Sequence, residues 1–221
     1  MFARRVIKPE LLDHAPPEEA RPSLFDLTRI NKNFGGHSVI LKTLDRVVRP
    51  ADDFSLLDVG AASGDTARLL RAVYPRSRVV SFDYNWTNLA AAPQPKVIGD
   101  AFQLPFPAHS FDYVMSSLFL HHFEDARVVE LLHSFYAVAR KALLICDLER
   151  NIVPYIFLPA TKLLFGWHFL TVHDGKISVR AAFKKTELQE LANRAGIREC
   201  EVSAHRPAFR VALIAPKNGS V

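Results

Sequence analysis

The sequence predicts an α/β fold, a doubly wound and mostly parallel sheet with helices on both faces, and three observations carry that expectation. Short apolar runs alternate with helical segments from Leu56 onward. A turn of small residues, Gly60-Ala61-Ala62-Ser63-Gly64, joins the first run directly to a helix. Successive runs then end at Asp83, Asp100 and Ser116, which gathers four strand ends along one edge of a sheet.

In chain order, residues 1–50 form an N-terminal arm and helices. The arm, Met1 to Pro22, is charged and Pro-rich, and a helix follows from about Leu24 to Val48, broken near Gly35-Gly36. Residues 51–221 form the main domain, within a single structural domain overall. Strands are expected at Leu56–Val59, Arg78–Phe82, Lys96–Gly99, Phe111–Ser116 and Ala142–Asp147, with helices at Asp65–Val73, Asn85–Ala91, Ala126–Ala139 and Thr186–Ala195. Arg198–Ala204 and Ala208–Ala215 flank His205-Arg206-Pro207 and close the seven-stranded sheet as an antiparallel hairpin. Lys217 to Val221 read as a frayed end.

The Gly60 turn selects its ligand by charge. A phosphate loop offers a Lys or keeps its helix N-terminus free of acids, whereas Asp58 and Asp65 flank this one. That suits a ribose, an amine or a cation. A dinucleotide fingerprint fails on spacing, because G-x-G-x-x-G from Gly60 needs glycine at Ala62 and Asp65, and from Gly64 at Thr66 and Leu69. No Gly-Lys-Ser/Thr triplet follows either. The sulfonium nucleoside S-adenosylmethionine fits what remains.

The chain resembles the class I S-adenosylmethionine-dependent methyltransferases, and within them the small-molecule branch that includes ubiquinone and menaquinone biosynthesis methylases. The resemblance is carried by Leu57-Asp58-Val59-Gly60-Ala61-Ala62-Ser63-Gly64, then Asp83, then Gly99-Asp100-Ala101-Phe102-Gln103-Leu104-Pro105-Phe106-Pro107, then Ser110-Phe111-Asp112-Tyr113-Val114 and Leu120-His121-His122-Phe123. Together these cover roughly Leu56 to Asp147. Ala62 departs from the pattern, since many relatives have a central glycine there. The resemblance implies a Rossmann-like sheet and a methyl donor that leaves as S-adenosylhomocysteine. Gly60, Ala61 and Gly64, with Asp58, Ala62 and Ser63, would surround the methionine part of the cofactor, and Asp83, with Tyr84 and Asn85, the ribose. Asp100, Ala101 and Phe102 would read the adenine, and Ser116 and Ser117 would lie beside the sulfonium. Asp100 also reads as a turn cap, and Ser116 as an ordinary strand-end hydroxyl.

Composition sets bounds. At 221 residues and 49% apolar content the chain can bury a large core. Its 28 Lys plus Arg against 23 acids leave a net charge of +5, spread without a dense run, which reads as a solvated surface rather than a nucleic-acid footprint. Cys146 and Cys200 lack metal-ligand spacing, so no metal is expected, and a reducing, cytoplasmic setting is. No secretory signal opens the chain. Ile152–Leu170 is too interrupted, by Pro154, Pro159, Lys162, Gly166 and His168, to read as a membrane span.

That segment is instead a helical lid, residues 151–182, inserted after the fifth strand. Its aromatic residues suggest one or two short helices over an apolar ligand; a core helix pair and shallow contact with a membrane surface are the other readings. Tyr155, Trp167, His168 and Arg180 are its candidate acceptor-binding residues. Arg29, on the N-terminal helix, is placed to face the carboxylate of the cofactor, while the arm before Leu24 is expected to be dispensable for cofactor binding.

Methyl transfer from a sulfonium is an in-line displacement, and a base is needed only for acceptors such as phenols, which are protonated at neutral pH. The expected acceptor is a small aromatic, quinol-like or phenol-like molecule, methylated on oxygen or carbon. His173, beside Asp174 in a polar island, is the leading base, followed by His121, for which bracing of its loop is the other reading. The runner-up is a nucleic-acid methyltransferase; the Asn/Asp-Pro-Pro-aromatic segment of base-amine methylation is replaced here by Ser116-Ser117-Leu118-Phe119. A non-catalytic binding module is the third reading. Oligomeric state is not legible.

Overall fold

The computed structural model describes residues 2–217. Its seven-stranded sheet has the order β3-β2-β1-β4-β5-β7-β6. The strands are β1 (Phe54–Val59), β2 (Ser77–Asp83), β3 (Lys96–Ile98), β4 (Phe111–Ser117), β5 (Ala139–Leu148), β6 (Glu201–His205) and β7 (Arg210–Pro216). The first five are parallel, and β7 pairs antiparallel with both β5 and β6. The expected fold class is therefore observed.

Side-chain alternation explains why the sheet is covered on both faces. Leu57, Val114, Leu143, Ile145 and Leu213 point to one face, where α5 (Asp125–Val138) supplies Leu131 and Phe135 and α8 (Lys185–Arg194) supplies Leu188. Their neighbours Leu56, Tyr113, Met115, Leu144 and Ala212 point to the other, covered by α2 (Gly36–Leu44) and α3 (Asp65–Val73). The short α4 (Trp86–Leu89) starts at Asn85, whose side chain accepts from the Asn88 amide.

Three parts differ from the sequence expectation. The N-terminal helix α1 spans Pro17–Asn33 and so begins well before Leu24: Pro17 needs no amide partner at the first turn, and Glu18 and Glu19 favour the positive end of the helix. The lid is two full helices, α6 (Ile152–Phe165) and α7 (Phe169–Ala181), separated at Gly166 with φ 68°. The polar island from Thr171 to Arg180 is thus the middle of α7. Lys217 is tied down by its amide to the Lys141 carbonyl at 2.7 Å, and the rest of the expected frayed end, residues 218–221, lies outside the described residues.

The arm is bound along its length. The Val6 amide donates to the Arg180 carbonyl at 3.1 Å, and Arg5 donates to the Ala181 and Phe123 carbonyls while stacking over Phe183. The amides of Leu11 and Leu12 donate to the two carboxylate oxygens of Asp174 at 3.1 and 2.9 Å. Among the described residues, no helix is long and apolar enough to cross a membrane.

Candidate active site

The C-terminal ends of β1 and β2 build the first half of the site. Gly60, at φ 77°, is required twice over: a side chain would be strained there, and its Cβ would lie 2.5 Å from the Phe119 ring. Ala62 also takes a left-handed φ, 43°, at a cost of about 1 kcal/mol for a non-glycine residue. Its amide donates to one oxygen of Asp83 at 2.8 Å, and the Asn85 amide donates to the other at 2.8 Å. Asp83 is thereby fixed with lone pairs to spare. Burial raises its pKa, partly offset by the amides of Asn85 and Ala62. Asp58, beneath the turn, is pushed up to about 7 by burial and then by the neighbouring Asp83 and Asp65 carboxylates. Its Oδ2 is buried without a hydrogen-bond partner among the described residues. Asp65 itself is engaged by His37 Nε2 at 2.8 Å.

A cavity of about 950 Å³ opens over this edge. Gly60, Ala62, Asp83, Tyr84, Asp100, Ala101 and Phe102 line it on the strand-edge side, and Phe119, His121 and His122 form a wall. Phe157 and Leu158 of α6 and Val179 of α7 roof it, while Ile7 to Glu10 and Leu12 of the arm close another side. Asp100 is held by accepting from the Phe102 amide at 2.9 Å.

His121 is the most constrained polar group in that wall. Its ring is buried, its Nδ1 lies 2.7 Å from Asp147 Oδ1, and its Nε2 lies 3.8 Å from Glu10 Oε1. Glu10 also accepts from the Ser178 hydroxyl. Burial opposes charge on the imidazole, but the carboxylates of Asp147 and Glu10 outweigh it and raise the pKa to about 9. In return Asp147 and Glu10 are held below the ordinary carboxylate range against their own burial, each chiefly by its interactions with His121. His122 stacks on His121 with ring centroids 4.4 Å apart. Glu10, His121 and His122 bring ligand-capable atoms within 4.8 Å of one another, close enough for one cation to span.

Other candidates fall elsewhere. His173 is exposed on α7, outside the cavity wall, and its partner Asp174, on the buried face of the helix, is spent on the arm amides. Arg29 donates to the Phe165 carbonyl, pairs with Asp26 and stacks on Trp167, which ties it to the end of α6 and leaves it out of the cavity lining. Ser116 is buried and donates to the Val59 carbonyl, and neither it nor Ser117 lines the cavity. Trp167 is buried with its indole N–H on Thr161, and the His168 amide donates to Asp26. Tyr155 packs on Phe2, Arg180 presents its carbonyl to the arm, and none of these four touches the cavity. From this segment the cavity is lined instead by Val153, Pro154, Phe157 and Leu158 of α6 and by Gly175, Ser178 and Val179 of α7. Ala61, Ser63, Gly64, Asn85 and Asp58 shape the turn without lining the chamber.

Glu10 and Asp147 escaped the sequence reading. Asp147 carried a usable signal, a carboxylate ending a central strand as Asp83 does; Glu10, in a Pro-rich arm, carried none.

A family model described as a methyltransferase domain matches residues 57–142. No curated protein matches the chain. Among solved structures, the plantazolicin methyltransferase BamL, in complex with a triazolic desmethylPZN analog and SAH, superposes with a TM-score of 0.68 at 11% identity, covering 93% of this chain and 92% of that one. Magnesium protoporphyrin IX methyltransferase from Synechocystis PCC 6803, with bound SAH, gives 0.55 at 14%, covering 84% and 83%. A structure from Nostoc punctiforme PCC 73102 gives 0.61 at 15%; 83% of this chain is covered, and the chain spans 56% of that longer protein. At these identities the likeness speaks to fold alone. Taken with the domain match over residues 57–142 and the sheet order, it gives the chain the fold of the class I S-adenosylmethionine-dependent methyltransferases.

Proposed function

We propose that this chain transfers a methyl group from S-adenosylmethionine to a small, largely apolar aromatic molecule bearing a phenol-like or quinol-like hydroxyl, with His121 as the acid–base centre. The observation that carries the reading is a single chamber shared by the strand-edge carboxylates Asp83 and Asp100, the buried His121, and an apolar helical roof.

The residues present fit the cofactor. Asp83, pinned by two amides, can accept from ribose hydroxyls, and the unpartnered Asp58 Oδ2 lies under a turn whose Gly60 excludes a side chain. When bound, S-adenosylmethionine would supply an electrophilic methyl group. The chain's part is to orient the acceptor oxygen, exclude water and manage one proton. Asp147 fixes the His121 tautomer by holding Nδ1, leaving Nε2 toward Glu10 and the chamber. Neutral imidazole beside a phenol and imidazolium beside a phenolate carry the same charge, so His121 serves acceptor ionisation in either form. With His121 at about 9 and a phenol at about 10, both are protonated at neutral pH; one proton leaves to solvent as pH rises toward 9, and the one that remains is shared between them on nearly even terms.

Two solved neighbours are described as acting on plantazolicin and on magnesium protoporphyrin IX, which agrees with a compact acceptor. The nucleic-acid alternative would need a flipped base to enter a chamber roofed by α6 and α7. The test is calorimetric titration with S-adenosylmethionine followed by turnover on a panel of phenols, quinols and short RNAs. Cofactor binding with methylation of phenols is expected; methylation of RNA alone would overturn the acceptor class. Cofactor binding without any transfer would favour a binding module.

A further inference from the structure

The outward face of α6 has no protein partner. Ile152, Ile156, Pro159, Ala160, Leu163 and Leu164 recur at helical spacing and are all exposed, Leu163 at 98% and Leu164 at 78%. No charge interrupts this stripe. Phe169 extends it at the start of α7, and Phe25 of α1 adds a further exposed ring beside Arg29, which itself reaches the end of α6. Scattered apolar residues on a surface are ordinary; a continuous stripe along a four-turn helix marks an interaction face.

We infer that this face seats the protein on an anionic lipid surface, with α6 lying in the plane of the interface. Two observations favour lipid over a second protein. Across residues 151–182 the basic side chains are Lys162, Lys176 and Arg180, whereas the one acid, Asp174, is buried under the arm. Lys162 is exposed on α6 itself, and Lys176 sits 5.6 Å over the Tyr155 ring of α6, so positive charge borders the apolar face. The same helix also turns Phe157 and Leu158 into an apolar chamber of about 950 Å³, so one element meets the bilayer on one side and the acceptor on the other. An acceptor that fills such a chamber partitions into lipid, which is where α6 would meet it; that last step rests on the proposed function, and the docking surface does not.

The test is co-sedimentation of the full chain with vesicles of phosphatidylcholine alone and of equimolar phosphatidylcholine and phosphatidylglycerol, without substrate. Binding to the anionic vesicles is expected, weakened at high salt. Leu163→Gln with Leu164→Gln should reduce it at least tenfold while S-adenosylmethionine affinity, read separately by calorimetry, stays unchanged. Leu163→Asp alone, at a side chain in contact with almost nothing, repeats the test should the double variant lose cofactor binding. Absence of vesicle binding by the wild type, or binding indifferent to these substitutions, overturns the proposal. So does a dimer that Leu163→Asp dissociates, since the face would then belong to a second copy. Failure of methyl transfer with vesicle binding intact would count against the proposed function only.

Discussion

The buried Glu10–His121–Asp147 set makes stability depend on pH in a direction that can be worked out. His121 is raised to about 9 in the folded protein against about 6.5 in an unfolded chain. A raised histidine contributes stability that is fully present below pH 6.5 and is lost as pH rises through 9. Integrating proton linkage for these two values between pH 7 and 9 gives a loss of about 2 kcal/mol. Asp58, at about 7, and Cys146, at about 12, also titrate differently in the folded and unfolded states over this range. Both are present in a His121→Gln variant, so the difference between the two proteins reports the imidazole together with Asp147 and Glu10, the two carboxyls it holds down. The assay is urea unfolding followed by circular dichroism at pH 7 and 9. Wild type should lose about 2 kcal/mol more than His121→Gln, whatever their absolute stabilities. Parallel losses would show that His121 is neutral in the fold, and the charge assignment behind the proposed chemistry would fall with it.

Other outcomes follow from the same geometry. Asp83→Ala should weaken S-adenosylmethionine binding by about tenfold or more, from the loss of charge-assisted hydrogen bonds, as read by calorimetry; unchanged affinity would reject the ribose role. His121→Gln should lower kcat/KM on a phenolic acceptor by about a hundredfold and abolish a rise in wild-type rate from pH 7 toward 9. His173→Ala should leave turnover within about twofold, given its position outside the chamber. Deleting residues 2–14 should remove most turnover, because Glu10 and the arm wall go with it, and turnover at the wild-type level would exclude Glu10 from the chemistry. Dialysis against EDTA should leave turnover unchanged; a loss restored by a divalent cation would turn Glu10, His121 and His122 into metal ligands.

The strand-edge half of the site was legible because its residues are consecutive with the elements that place them. Asp83 and Asp100 end strands, and a strand end in a parallel sheet lies at the ligand edge by construction. Gly60 reports its own backbone conformation through its identity. The other half was not legible, for a different physical reason. In α7 the buried positions Leu170, Thr171, Asp174, Ser178 and Ala181 keep helical spacing, but three of them are polar, so the stripe reads as an island of loop chemistry. They are polar because their partners are remote: Thr171 meets Ser23 and Asp26, Asp174 meets Leu11 and Leu12, and Ser178 meets Glu10. A buried polar face looks exposed until the segment that satisfies it is known.

The same consideration separates Asp174 from Asp147, two carboxylates each within 2.8 Å of a histidine nitrogen. Sequence adjacency favoured the His173–Asp174 pair, but adjacency on a helix says little about which way two side chains face. Asp174 directs both oxygens at arm amides, and its histidine is left at the surface. Asp147 ends a central strand, receives the imidazole of a residue 26 positions earlier, and its histidine reaches the chamber. The first carboxylate fastens the arm that carries Glu10 into the chamber, and the second orients the ring that Glu10 faces. Anchoring and chemistry are thus divided between two carboxylates of similar local appearance, and burial of the paired histidine tells them apart.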